Sequence, residues 1–287
     1  MFIENNEIVI FGGLITIANL APECYENMTE PETFIQKFKN AGIRADIFSF
    51  GQRLPEVQPK YKYYREWDSI AVLKIKSYDD WLINQVEKEI RKNVNKAIKK
   101  GVVTKIAEFD DALVHEIMDI YNETPVRQNK PFPHYKKDFE TIKKEHATYL
   151  DKSDFIGAYY NDELIGFIKM YYSEKCASTL QVISKIEHRD KKTNNALLAK
   201  AVEICDQKNI EFLQYGVWSY RTFGDFKKSN GFKKVDIPRY YIPLNVKGRI
   251  ALKLKLHRGL KNMLPEKISE RLLDLRTKWY SRKQSFS

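Results

Sequence analysis

Between positions 155 and 172 two alternating apolar runs, FIGAYY and ELIGFIKMYY, flank the turn pair Asn161–Asp162 and together predict a β-hairpin. Around it the apolar period switches between two and 3.6. Strands are predicted at 102–109, Ser178–Lys185, Ile210–Trp218 and Phe232–Leu244, and helices at Asp110–Tyr121, Lys136–Leu150, Asn195–Asp206 and Arg221–Ser229. Upstream, the pattern predicts a strand over Ile8–Leu20, a helix over Pro31–Ala41, and strands at Ala45–Phe50 and Ile70–Ile75. Pro55, Pro59, Tyr61, Tyr63 and Tyr64 mark Gln52–Tyr64 as an irregular loop, its tyrosines either lining a groove or covering the sheet. Trp81, Ile83, Val86, Ile90, Val94, Ala97 and Ile98 recur at helical spacing, so Asp79–Lys100 reads as one connecting helix stopped by Gly101.

The segments form four stretches: a small α/β unit over 1–78, the connecting helix over 79–101, the main α/β domain over 102–244, and a basic helical tail over 245–287. A chain of 287 residues with 43% hydrophobic and 30% charged positions is long and apolar enough to bury substantial cores. Its longest apolar stretches fall short of the ~20 residues a membrane span requires. The N-terminus, MFIENNE, is acidic and no cleavage-like site follows, so the expected compartment is the cytoplasm. Cys24, Cys176 and Cys205 are far apart and the five histidines form no HxH or HxxxH pair, which predicts neither a disulfide framework nor a metal site.

Charge changes the picture at one end. Residues 245–287 carry 12 Lys or Arg against 3 Asp or Glu, while the chain as a whole has a net charge of +11. Such a tail attracts polyanions, which makes nucleic acid, an anionic membrane surface and phosphate-bearing substrates physically reasonable partners. Up to Leu264, Ile250, Leu252, Leu254 and Leu256 mix with Lys253, Lys255 and Arg258, and after Pro265 the residues Ile268, Leu272, Leu275 and Trp279 share one helical face. The favoured reading is a C-terminal helical pair packed on the core with a solvated basic face, and a dedicated anion-binding or membrane-surface element is the alternative.

The hairpin NDELIGF, the loop and helix after Gln181, and the late segment FKKSNGF together resemble the GNAT superfamily of N-acyltransferases over about half the chain. RKNVNKAIKKGV, at Arg91–Val102, is similar to the segment that precedes the catalytic domain in the Fem-type peptidoglycan aminoacyltransferases. The resemblance implies a mixed central sheet flanked by helices, preceded by a truncated GNAT-like unit. It also implies an acyltransferase moving an acyl group from acyl-CoA or a similar thioester to an amine acceptor, a small molecule or a glycan or peptide precursor of the cell envelope. Two alternatives stay open: a Fem-type transferase using aminoacyl-tRNA, and a non-catalytic GNAT-like binding module.

By the same resemblance the acyl-CoA site falls on Gln181, Ser184, Arg189, Lys191, Lys192, Thr193, Asn194 and Asn195. The stretch HRDKKTNNA departs from the glycine-rich loop of ordinary GNAT enzymes. It offers side-chain charge and a helix N-terminus in place of a bare backbone cradle. Lys227 matches a lysine that stabilises the oxyanion in Fem-type proteins, with its neighbour Lys228 and a solvated role as alternatives. In YNETPVRQNKPFPHY, where GNAT folds bind the acceptor, His134 is the candidate general base, and Arg127 and Tyr135 candidate acceptor contacts. Tyr240, in PRYYIPL, is either a further contact or a core residue.

Overall fold

The fold, a computed structural model, is described here for residues 2–3, 6–20, 28–127, 130–219 and 222–258. Cys24 and the tail helix expected after Pro265 lie outside the described residues. The N-terminal part contributes β1 (Phe2–Ile3), β2 (Asn6–Phe11), β3 (Ile17–Leu20), α1 (Pro31–Asn40), β4 (Ile47–Gly51) and β5 (Tyr64–Lys74). Next come α2 (Tyr78–Asp80), a π-helical turn (Trp81–Gln85), α3 (Lys88–Lys99), β6 (Val103–Ala107) and α4 (Asp111–Asn122). The short strands β7 (Val126–Arg127) and β8 (Lys130–Pro131) precede α5 (Phe139–His146), β9 (Ser153–Tyr160), β10 (Glu163–Ser173) and β11 (Cys176–Ser184). The remainder is α6 (Thr193–Gln207), β12 (Phe212–Val217), α7 (Thr222–Ser229), β13 (Lys233–Pro243) and α8 (Val246–Lys253).

Two compact units result. Unit 1 takes Met1–Asp68, Val126–Pro131 and Ile237–Ser287, and unit 2 takes Ser69–Pro125 and Phe132–Asp236. This division differs from the four stretches read along the sequence. The strand expected at Ile70–Ile75 pairs with β12 and belongs to unit 2, while the end of β13 pairs with β4 and belongs to unit 1. Both assignments rest on pairings between residues far apart in the chain, which local periodicity does not encode.

Each unit repeats one plan. In unit 1 a hairpin, β2–β3, leads through α1 to β4, which pairs parallel with β3. In unit 2 the hairpin β10–β11 leads through α6 to β12, which pairs parallel with β11. The sheet of unit 2 runs β5-β12-β11-β10-β9-β6, antiparallel apart from that one parallel pair.

Local sequence accounts for several elements. Asn161 and Asp162 adopt φ of 50° and 64°, the left-handed pair that a two-residue hairpin turn demands. Asp110 caps α4 by accepting from the Leu113 N–H at 2.8 Å, and Asp138 caps α5 through Thr141 at 2.9 Å. Two expectations are corrected. Ile8–Leu20 is two strands, because the chain turns at Gly12, whose φ is +104°. The helix expected over Asp79–Lys100 breaks at Val86 and Glu87, which are extended. There Trp81 is fully buried with its Nε1 donating to the Asn230 carbonyl at 2.9 Å, a tertiary contact that outweighs helix continuity.

The sheet of unit 2 is covered on both faces. Ile168 and Met170 of β10 and Leu213 of β12 pack with α3 and α6, while Phe167 and Ile183 pack with Leu113, Ile117, Tyr121 and Ile142 of α4 and α5. In unit 1, Phe34, Phe38, Phe48 and Phe50 form the core with Tyr240. No helix among the described residues is long and apolar enough to cross a membrane.

Candidate active site

β11 and β12 pair through Cys176–Ser178 and Phe212–Gln214. β11 then runs on to Ser184 and β12 to Val217 with no further pairing between them, so the sheet of unit 2 opens at this point. Beyond an opening of this kind, unsatisfied backbone donors and acceptors are available to a ligand lying between the strands. The matching pair of unit 1, β3 and β4, stays in register from Ile17 to Asn19 over nearly the whole of β3.

Gln181 lies in the unpaired part of β11. On its face of the sheet, the Tyr121 hydroxyl, from the end of α4, donates to Gln181 Oε1 at 2.7 Å and lies 3.0 Å from His146 Nε2. A phenol has one proton, so with Tyr121 donating to Gln181 it is His146 Nε2 that donates to the phenol oxygen. Gln181 Nε2 approaches His134 Nε2 at 3.4 Å, and the His134 ring lies 4.6 Å from the Tyr121 ring. With the amide donating, His134 presents its Nε2 lone pair to Gln181. The Lys169 Nζ, 3% exposed, donates to the carbonyls of His146 and Thr148, both at 2.8 Å, and to Thr148 Oγ1 at 3.0 Å. Burial raises the Tyr121 phenol well above its ordinary pKa, and burial together with the nearby charge of Lys169 drives His146 down to about 3.

Lys227 lies on the other face, in α7. It is 5% exposed, its Nζ donates to the Val217 carbonyl at 2.7 Å, and it sits 4.9 Å over the Tyr215 ring. Burial lowers its pKa. Lys228 points into solvent. Tyr215 and Val217 lie in β12 beyond its pairing with β11, so Lys227 and Gln181 border the opening from opposite faces of the sheet.

No family model and no curated protein matches the chain. Solved structures do. FemX superposes with a TM-score of 0.56 at 11% identity, over 86% of this chain and 86% of FemX. The L-PGS of Bacillus licheniformis gives 0.56 at 13% identity, over 88% of this chain and 85% of that one. A conserved protein of Bacteroides thetaiotaomicron gives 0.53 at 9%, over 85% and 84%. The fold is the GNAT-like one shared with FemX and this L-PGS. Identities this low speak for the fold alone.

The loop to which the sequence resemblance assigns the acyl donor follows β11. Lys192 takes a left-handed φ of 60° just before α6 and no side chain caps the helix, which starts at Thr193 rather than at Asn195 as expected. Thr193 is 2% exposed, and its hydroxyl donates to the His188 carbonyl at 3.3 Å. Asn195 is also buried, its Nδ2 without a partner among the described residues. Neither side chain faces a ligand in solvent, because the first turn of α6 packs under the hairpin; a Cβ at Gly166 would come within 2.9 Å of the Thr193 methyl. Arg189 and Asn194 are exposed and Ser184 and Lys192 half-buried. The Lys191 Nζ lies 3.0 Å from His188 Nδ1 and 4.3 Å from the Tyr160 ring centre. Lys100 bonds Asp190 and removes its carboxylate from competition with an anion.

Four residues fall elsewhere or contribute in other ways. Tyr240 is fully buried in the core of unit 1; its hydroxyl donates to Gln52 at 2.8 Å and accepts from the Lys60 N–H at 2.8 Å, leaving no hydrogen-bonding capacity for a substrate. Arg127, on β7, groups with unit 1. Tyr135 belongs to unit 2, half-buried in the turn after Phe132, with Lys136 5.5 Å over its ring. Tyr61 covers the unit 1 core, its hydroxyl bonded to the Met28 carbonyl at 2.8 Å.

The sequence analysis missed Tyr121, His146 and Lys169. Lys169 carried a signal, since it is a lone lysine inside the apolar run GFIKMYY. Glu163, Glu187 and His188 gather three ligand atoms within 4.8 Å, but Lys185 already bonds Glu163 and lies 3.8 Å from Glu187.

Proposed function

We propose that the chain is an N-acyltransferase and that unit 2 carries the reaction. The observation that supports this most is the opening between β11 and β12, bordered by Lys227 on one face and by Gln181, His134 and Tyr121 on the other. The two halves of acyl transfer need such a separation, an activated acyl group entering from one side and an amine from the other.

In this reading the amine nitrogen attacks the acyl carbonyl carbon; the C–N bond forms and the bond to the leaving group breaks. His134 takes the proton the amine loses, after giving up its weak contact with Gln181. Lys227, held at the opening by the Val217 carbonyl, supplies positive charge to the developing oxyanion. Tyr121 positions Gln181, and through it His134, without touching substrate. Acyl-CoA is the first donor to test, its phosphates meeting Arg189, Lys191, Lys192 and the N-terminus of α6. A second reading, transfer from aminoacyl-tRNA, is favoured by the glycine-free loop and by fold similarity to FemX that spans both units. The acceptor is an amine of a small molecule or of a cell-envelope precursor.

The test titrates the protein with acetyl-CoA, longer acyl-CoAs and free CoA by calorimetry, beside Lys191→Ala/Lys192→Ala. Saturable binding lost in the double variant supports the CoA reading. Its absence, with acyl transfer from charged tRNA, supports the second. Failure of both in folded protein leaves a binding module and refutes the enzyme.

A further inference from the structure

We infer that α8 in unit 1 is a docking element for an anionic phospholipid bilayer. Gly248, Ala251 and Leu252 are its buried side, the latter two packed with Ile17 and Ile47. On the opposite side Val246, Ile250 and Leu254 are 64%, 53% and 57% exposed. Spaced by four, they form one continuous stripe along the helix and its C-cap. On a helical projection Lys247 flanks the stripe on one side, and Lys253 and Arg249 on the other. No Asp or Glu occurs from Leu244 to Pro265.

Exposed apolar residues between cations are costly in water and have a defined use at an interface: the apolar stripe enters the acyl boundary while the flanking cations meet lipid phosphates. Among the described residues Arg249, Lys253 and Lys255 make no ion pair, so their charge is available.

Two neighbouring features extend the surface. Val9 and Phe11 of β2, 45% and 47% exposed, lie opposite Asn19 and Ile17 in the β2–β3 register. Directly opposed residues share a face, so they continue the sheet face on which Ile17 meets α8. Beside the helix a concavity of about 600 Å³ is rimmed by Lys39, Arg44 and Lys247. Its one carboxylate, Asp46, is already engaged by Thr16, Asn245 and Lys247, so the rim favours a phosphate. The combination of an apolar stripe, a two-sided basic border and a basic hollow fits a bilayer with anionic headgroups better than a free anion, which would leave the stripe in water.

The test is co-sedimentation of the full chain with vesicles of equimolar phosphatidylglycerol and phosphatidylcholine, against pure phosphatidylcholine. The expected result is binding to the anionic vesicles alone, weakened by salt and unaffected by excess inorganic phosphate at constant ionic strength. Ile250→Ser/Leu254→Ser, which alters exposed positions and leaves the melting temperature in place, is expected to bind at least about tenfold more weakly. Arg249→Glu/Lys253→Glu is expected to lose binding too. Equal binding to both vesicle types, or full binding by the serine variant, overturns the proposal; the latter would assign the affinity to residues after Arg258.

Discussion

Acidification is expected to weaken this fold through one buried ring. His146 is 4% exposed, packed edge-on to Phe155 and Phe167, with its Nε2 on the Tyr121 hydroxyl and its own carbonyl receiving the Lys169 Nζ. A proton on Nδ1, which is buried with no partner among the described residues, would be both desolvated and close to the Lys169 charge. Burial first and Lys169 second hold the folded pKa at about 3, against 6.5 for the solvated ring of the unfolded chain. The folded state therefore binds the proton less readily than the unfolded one. The contribution of neutral His146 is fully present above pH 6.5 and is lost progressively as pH falls toward 3.

Each pH unit across that window costs about 1.4 kcal/mol, so moving from pH 7 to pH 5 costs about 2 kcal/mol. Urea unfolding of wild type and His146→Gln at both pH values isolates the ring, since Gln keeps a donor for Tyr121 and does not titrate. Other groups contribute alike to both proteins and cancel. The variant should lose about 2 kcal/mol less than wild type between the two conditions. Equal losses, or an NMR titration of the His146 ring with a midpoint near 6.5 in folded protein, would refute the reasoning.

In unit 1, Asp46 is desolvated, yet donors from the Thr16 N–H, Asn245 and Lys247 outweigh that and hold its pKa at about 2. Its stabilisation is present above pH 4 and fades as pH falls toward 2, and Asp46→Ala should cost about 2 to 4 kcal/mol in chemical denaturation at pH 7. Gly248→Ala should cost at least about 1 to 3 kcal/mol by the same assay, because a Cβ there would stand 1.9 Å from the Asp46 carbonyl oxygen. Lys227→Met should lower kcat by roughly 100-fold with little change in KM, whereas Lys228→Met, at an exposed position, should leave both near wild type; similar losses in the two would remove Lys227 from the mechanism.

What could be read from the sequence is what neighbouring residues decide. Asn161 and Asp162 fix the hairpin by tolerating φ above zero, and Asp110 fixes the start of α4 by reaching its own third residue. Lys227 and His134 are candidates legible in the sequence because residue type and motif position single them out. The break at Val86 escaped because Trp81, Val86 and Ile90 keep helical spacing through it, while its cause, the bond from Trp81 to Asn230, spans 149 residues. The placement of β5 in unit 2 escaped for the same reason. His146 and Tyr121 read as ordinary helix-end residues, and their shared bond to each other and to Gln181 exists only after α4, α5 and β11 have met.

The two faces of the unit 2 sheet divide the chemistry in a way that bears on how the opening works. On one face the polar groups interlock: Lys169 is saturated by two carbonyls and a hydroxyl, His146 is held neutral, and Tyr121 spends its proton on Gln181. These bonds tie α4, α5 and β11 together, and Gln181 extends them to His134 through a 3.4 Å contact, longer than the others. On the other face Lys227 has one hydrogen-bond acceptor among the described residues, the Val217 carbonyl, where β12 has parted from β11. In the proposed mechanism the group that takes the proton and the group that meets the oxyanion thus stand on opposite faces of one sheet. Because the Tyr121 hydroxyl reaches His134 through Gln181 on one face alone, removing it should shift His134 while leaving Lys227 unchanged.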